Sequence, residues 1–315
     1  MNDISQILSV IDPTTGDQPA MHRAAWVATN TGAELELLIC YYNEYLSGDR
    51  LFDSQSLQAT RKEILDGHKK HLEALAQPLR ESGLTVRTQT LWDHPLYEGI
   101  VKHAAAINAD LVFKDAHHHS AISRALLTNT DWSLIRACAS PLWLVKAGNR
   151  PAHPVIVAAI DPMNQHDKPA ALDDEILMLG KALANASNGE IHAFHSYDPR
   201  VAISTATANA YLPVSLPFDE IEKQMRQQHE KRFKEIVVYH EIESDHAHLV
   251  SGLVHEELPA LAKDLDALVV VMGAVARNPL KRLFIGSTAE RTLGQLPCDM
   301  LIVKPAWFHT AMESA

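Results

Sequence analysis

The residues best suited to hold a ligand lie in one loop, GAVARNPLKRLFIGST. It runs Gly273, two residues, Ala276, nine residues, then Gly286, Ser287 and Thr288. Glycine lets backbone N–H groups come close to an anion, and a hydroxyl at the following helix N-terminus adds a further donor. This is chemistry for holding phosphate, not for making or breaking bonds. A plainer account covers the same residues. Gly273 closes a strand with a turn, and Ser287 or Thr288 caps the helix that carries Glu290. Asp12 and Asp161 each precede a proline and can serve as turn caps.

Histidines are the other reactive group. His117, His118 and His119 are consecutive, and adjacent histidines in one loop rarely converge on one ion. His246 and His248 would share one strand face with Asp245 nearby, which makes them the better metal pair. Solvated histidines account for both places, so no metal is expected. The 18 histidines would also make the surface charge respond to pH between about 5 and 7.

Catalytic patterns are missing. His229-Glu230 and His255-Glu256 lack a second histidine four positions after the first, so there is no zincin motif. There is no Walker A lysine loop, no Gly-x-Ser-x-Gly elbow and no Gly-x-Gly-x-x-Gly fingerprint. We therefore expect no catalytic residue and no enzyme, with only a weak ATPase left open.

One uncharged segment stands out, VAISTATANAYLPVSLPF from Val201 to Phe218. Ile203, Tyr211, Leu212, Val214, Leu216 and Phe218 are too apolar for an idle surface loop. They would form a lid over an apolar ligand, or pack against the other half or a second subunit.

The elements that must position these residues alternate short apolar runs with amphipathic stretches. Strands are expected at Ile7–Ile11, Glu34–Tyr42, Thr85–Trp92, Asp110–Lys114 and Pro141–Lys146. Helices are expected at Gln18–Thr31, Leu57–Ser82, from Pro95 to about Asn108, and around Trp132–Arg136. In the second half, strands are expected near Val155–Ile160, Glu190–His195, Ala247–Ser251, Ala267–Met272 and Met300–Val303. A long helix should span about Phe218–Tyr239. Strands alternating with helices imply parallel pairing. In such a sheet, ligands bind beyond the carboxyl ends of the strands at the switch point, which points to Asp161 and the Gly273–Thr288 loop.

The chain is also written twice. QILSVIDP (Gln6 to Pro13) returns as PVIVAAIDP (Pro154 to Pro162), and SPLWLVK (Ser140 to Lys146) returns as CDMLIVK (Cys298 to Lys304). Two domains are expected, 1–148 and 152–307, joined by AGNRPAHP.

Composition narrows the classes further. The chain has 315 residues and a net charge of −11, with no basic cluster, which argues against direct nucleic-acid binding. No apolar run approaches the roughly 20 residues needed to cross a bilayer. MNDISQIL has no basic n-region or cleavage pattern. Cys40, Cys138 and Cys298 are scattered, which suits a reducing compartment, and a cytoplasmic location is expected.

The Gly273–Thr288 loop, the two IDP turns and the GSTAE segment together resemble the universal stress protein family. The likeness extends over the whole chain, one family domain per half, as in the tandem E-type members. It implies two doubly wound α/β domains, each a five-stranded parallel sheet with helices on both faces, like the adenine nucleotide alpha hydrolases. The family pattern is Gly, two residues, Gly, nine residues, Gly, then Ser or Thr, and Asp161 matches its position near the ribose. Ala276 replaces the second glycine and adds a methyl group where phosphates come closest. In the first half, Asp115 stands at the position of Gly273, His118 at that of Ala276 and Thr128 at that of Gly286. A carboxylate there would repel phosphate.

The resemblance also implies pairing through the last strand. The two halves would satisfy this contact internally as a pseudo-dimer, with Val145 and Val303 near the seam, and a further homodimer stays open. The leading function is a non-catalytic stress-response protein with a small-molecule crevice in the second domain. An ATP-binding, slowly hydrolysing switch and a ligand-free interaction protein are the alternatives.

Overall fold

A computed structural model describes residues 4–47, 55–116, 127–146, 148, 151–163, 171–200, 218–274, 287–305 and 308. The first sequence half runs β1 (Gln6–Val10), α1 (Pro19–Thr31), β2 (Glu34–Tyr41), α2 (Gln55–Glu81), β3 (Val86–Trp92), α3 (Leu96–Ala106), β4 (Leu111–Asp115), α4 (Asn129–Ala137) and β5 (Leu142–Val145). The second runs β6 (Val155–Ala159), α5 (Ala171–Ser187), β7 (Glu190–Tyr197), α6 (Phe218–Tyr239), β8 (Ala247–Ser251), α7 (Val254–Asp264), β9 (Val269–Gly273), α8 (Ser287–Gln295) and β10 (Asp299–Val303).

By packing, the chain divides into one unit of Met1–Arg150 with Asp299–Ala315 and another of Pro151–Cys298. This division differs from the sequence repeat in one strand. β10 closes the second repeat in sequence, yet it packs with the first unit.

In the first unit the strand order is β3-β2-β1-β4-β5-β10. The pairs from β3 to β5 are parallel, and β10 pairs antiparallel with β5, with Met300 opposite Leu144 and Leu301 opposite Trp143. Val145 and Val303 are the last residues of these two strands. The central strands β1, β4 and β5 are buried along nearly their whole length, as strands covered by helices are, whereas β3 (VRTQTLW) is largely half-buried. Ile7, Leu8, Leu35, Leu37, Phe113 and Trp143 are fully buried, and the Phe113 and Trp143 rings stack at 5.0 Å between centroids. α1 turns Met21, Ala24, Ala25 and Ala28 inward. It stops at Gly32, whose left-handed backbone (φ 75) lets its N–H bond back to the Ala28 carbonyl.

Asp299, the first residue of β10, explains why this strand joins the first unit. Its carboxylate accepts the Trp143 indole N–H and the Lys146 backbone N–H, each at 2.9 Å, and pairs with Arg23 Nε of α1 at 3.1 Å. Burial pushes the Asp299 carboxyl up from the usual carboxylate value, while Arg23 and the two N–H donors pull it back down.

In the second unit the order is β9-β6-β7-β8, all parallel. Val157, Ala158 and Val269 to Val271 form its buried centre. The duplication extends to single turns. α3 is followed by Asn108 at φ 50 and α7 by Asp266 at φ 48. In each case the next N–H reaches back to a helix carbonyl, Ala109 to Ala104 and Ala267 to Ala262. The first of these turns ends α3 at Ala106, two residues before the expected end near Asn108. Pro95 is the residue capping α3 from outside, not its first turn.

Candidate functional site

In each unit the sheet changes winding direction between two strands, β1 and β4 in the first and β6 and β9 in the second. The crevice beyond their carboxyl ends is where an open α/β sheet takes a ligand. β6 and β9 are neighbours, with Ala159 opposite Met272. Asp161 and Gly273 therefore sit together at one edge of the second unit.

Asp161 lies two residues past the end of β6, and its N–H donates to Asp173 Oδ1 of α5 at 3.0 Å. Asp173 is itself buried. Gly273 ends β9, and a Cβ there would lie 2.7 Å from Leu172 Cδ2 and 3.3 Å from Ile176 Cδ1. It is thus needed for close packing of α5 on the strand end. A turn residue was the plainer sequence account. Ser287 and Thr288 are the first two residues of α8, so they occupy a helix N-terminus. Ala276 and Gly286 lie outside the described residues, as do the side chains of Ser287 and Thr288. The same holds for Ile203, Tyr211, Leu212, Val214 and Leu216, and for the side chain of Phe218, which opens α6.

The first unit fills the equivalent positions with its own acids. Asp115 ends β4 as Gly273 ends β9, and its Oδ1 accepts the Ala20 N–H of α1 at 2.6 Å. Thr128 caps α4 in a reciprocal box with Asp131, and the buried Asp131 pairs with Lys114 Nζ at 2.7 Å. Asp12 accepts the N–H and hydroxyl of Thr14, so it does act as a turn cap. His117, His118 and His119 lie outside the described residues.

A buried histidine pair that the sequence did not single out borders the second-unit crevice. His195 Nδ1 is 3.2 Å from the Ile160 carbonyl, and His195 Nε2 is 2.7 Å from His229 Nδ1. A carbonyl only accepts, so His195 Nδ1 carries the proton, and its Nε2 accepts from His229 Nδ1–H. The Tyr197 ring stacks on His229 at 4.8 Å. Burial lowers the His229 pKa from 6.5, which favours its neutral form.

His246 and His248 sit at the opposite, amino-terminal end of the sheet. His246 closes a 3-10 turn (Ser244–His246), and His248 is in β8. They meet around His192 of β7, a residue absent from the sequence reading.

The universal stress protein family model matches residues 4–146 and, a second time, residues 155–304. The chain belongs to the universal stress protein family. It is 30% identical to universal stress protein E of Salmonella typhi over 308 residues, covering 98% of this chain and 96% of that protein. Universal stress protein E of Escherichia coli K12 is 29% identical over the same shares of both chains. Among solved structures, a functionally unknown protein from Pseudomonas aeruginosa PAO1 superposes with a TM-score of 0.72 at 25% identity, covering 96% of this chain and 93% of its own. A universal stress protein from Archaeoglobus fulgidus DSM 4304 shares the fold, with a TM-score of 0.64 at 16% identity over 96% of this chain and 99% of its own.

The two family domains differ at the residue that ends the fourth strand of each repeat. The second keeps glycine there, and the first has a capping aspartate. Among the described residues, no helix is long and apolar enough to cross a membrane.

Proposed function

We propose that this chain is a cytoplasmic, non-catalytic stress-response protein whose second domain binds a small molecule in the crevice bounded by Asp161, Gly273, Gly286 and Ser287. The relatives that match nearly its whole length are named universal stress protein E, which supports the stress role. One observation carries the site assignment. At matching strand ends, the first unit aims the Asp115 carboxylate at the Ala20 N–H, whereas the second has Gly273 and no side chain at all. A carboxylate at that point repels an anionic ligand, and glycine does not. The first domain then serves as a structural partner, and the Val201–Phe218 segment as the lid of the second. The paired last strands β5 and β10 support an internal pseudo-dimer.

A nucleotide is the second reading of the ligand. It is favoured by the placement of Ser287 and Thr288 at the N-terminus of α8, where backbone N–H groups and the helix dipole favour phosphate. Ala276 works against it by adding a methyl group to the loop. Thermal shift with ATP and Mg²⁺, on the natural chain and on Gly286→Asp, separates the two. Stabilisation lost in Gly286→Asp identifies the nucleotide. An apolar molecule carried through gentle purification identifies the lid-covered ligand. A bare protein that neither class stabilises overturns the crevice reading and leaves a ligand-free interaction protein.

A further inference from the structure

Four side chains at the amino-terminal ends of β7 and β8 face one another, far along the strands from the crevice. Glu190 and His192 are two residues apart in β7, so they project from the same face. Parallel pairing of β7 with β8, Phe194 opposite His248, brings His248 to that face, and the preceding turn adds His246. The ligand atoms of Glu190, His192 and His246 all lie within 4.8 Å of one another. Glu190 Oε2 is 3.6 Å from His192 Nε2 and 3.8 Å from His246 Nε2.

His192 is only 5% exposed, and its Nε2 is shut off from solvent without a hydrogen-bond partner among the described residues. Its other nitrogen is engaged. His192 Nδ1 is 2.8 Å from His248 Nε2. With the proton on Nδ1 donated to His248, the Nε2 lone pair points toward the Glu190 carboxylate. The reverse arrangement, His248 Nε2–H donating to His192 Nδ1, turns an N–H toward Glu190, so the first tautomer is the one that frees Nε2 to bind a cation.

We infer that Glu190, His192 and His246 form a binding site for a divalent transition-metal cation of the zinc class, with His248 as the positioning residue that fixes the His192 tautomer. Two imidazoles and a carboxylate are a common ligand set for such ions, and three protein ligands leave a coordination position open. For metal–ligand bonds of about 2.0–2.1 Å, tetrahedral ligands stand about 3.3 Å apart, so the two Glu190–imidazole spacings need to close by a few tenths of an ångström, and the His192–His246 spacing, within 4.8 Å, closes with them. Glu190 and His246 are the more exposed ligands and can make that movement, while buried His192 stays fixed. A second carboxylate group, Glu243 and Asp245, lies beside His246 and adds negative charge around the site. The hydrogen bond from the non-ligating nitrogen of His192 is the outer-shell contact that metal-bound histidines use. This inference does not rest on the crevice, because no residue is shared.

The test uses the full chain stripped with chelator and titrated with Zn²⁺ and, separately, with Co²⁺. One equivalent of Zn²⁺ should bind and raise the thermal midpoint, and Co²⁺ should give the visible absorption of a four-coordinate site. The double variant E190Q/H246A should lose both signals while melting normally in chelator. His248→Ala should weaken Zn²⁺ about 10- to 100-fold, and the triple alanine variant at His117, His118 and His119 should bind as the natural chain does. Failure of the natural chain to bind Zn²⁺, or an equivalent that E190Q/H246A leaves unchanged, would overturn the assignment.

Discussion

Asp115 Oδ1 accepts the Ala20 N–H at 2.6 Å, so a side chain at the end of β4 caps α1 from across the sheet. α1 has no side-chain cap of its own, because Gln18 precedes it and makes no such bond. The carboxylate thereby satisfies one of the orphan donors of the helix and meets the positive end of its dipole. It also occupies the place where the second unit has Gly273. The same position thus carries a helix cap in one unit and no side chain in the other.

Removing that cap should be felt in stability alone. Asp115→Ala should destabilise the chain by about 0.5–2 kcal/mol, the usual range for loss of a cap. Denaturant unfolding measures it. Any ligand-dependent thermal shift should persist in this variant, since the ligand site lies in the other unit.

A side chain at Gly273 should force Leu172 to shift. A Cβ would meet Leu172 Cδ2 at 2.7 Å, inside the packed face of α5. Gly273→Ala should destabilise by about 1–3 kcal/mol, as overpacking does. An unchanged denaturation midpoint would show that α5 sits farther from β9 than described.

Asp299 should be the most sensitive position in the first unit. Asp299→Ala removes the Asp299 carboxylate from Arg23, Trp143 and Lys146 at once, in a buried setting. Breaking a buried pair from one side typically costs about 3–5 kcal/mol. Equilibrium unfolding should show the loss, and limited proteolysis should release the C-terminal strand first.

The His195–His229 pair sets a pH response. His229 titrates below 6.5 in the folded chain because it is buried, with His195 and Tyr197 the titratable groups facing it. The unfolded chain then binds the extra proton first as pH falls. The stabilisation is fully present above about pH 6.5 and is lost as pH drops from there through the folded value. His229→Phe should flatten this part of the stability–pH curve, measured by denaturation between pH 7 and 5.

Much of the fold was legible in the sequence because β strands buried on both faces are written as short apolar runs. α1 ends at Thr31 as expected and α2 one residue early at Glu81, and the glycines beyond them, Gly32 and Gly83, are both at positive φ. The repeat made the second half readable from the first. The pairing of β10 with β5 was expected only through the family resemblance. Its packing with the first unit through Asp299 was not visible, because the grip comes from Arg23 and Trp143, far away in the chain. The His192 cluster was half seen for the same reason. His246 and His248 are close in sequence, but their junction with Glu190 and His192 depends on the β7–β8 register. The alternation of Glu190 and His192 on one strand face was the available signal. The His195–His229 contact likewise joins a strand to a helix, and no spacing rule announces it.

The most direct measurement of the central claim is native mass spectrometry of gently purified protein, followed by thermal shift with ATP and Mg²⁺ on the natural chain, Asp115→Ala and Gly286→Asp. The account predicts one bound small molecule per chain, or a ligand-dependent shift, that survives Asp115→Ala and disappears in Gly286→Asp. A bare protein that no ligand stabilises, or a shift that Gly286→Asp leaves intact, would contradict it.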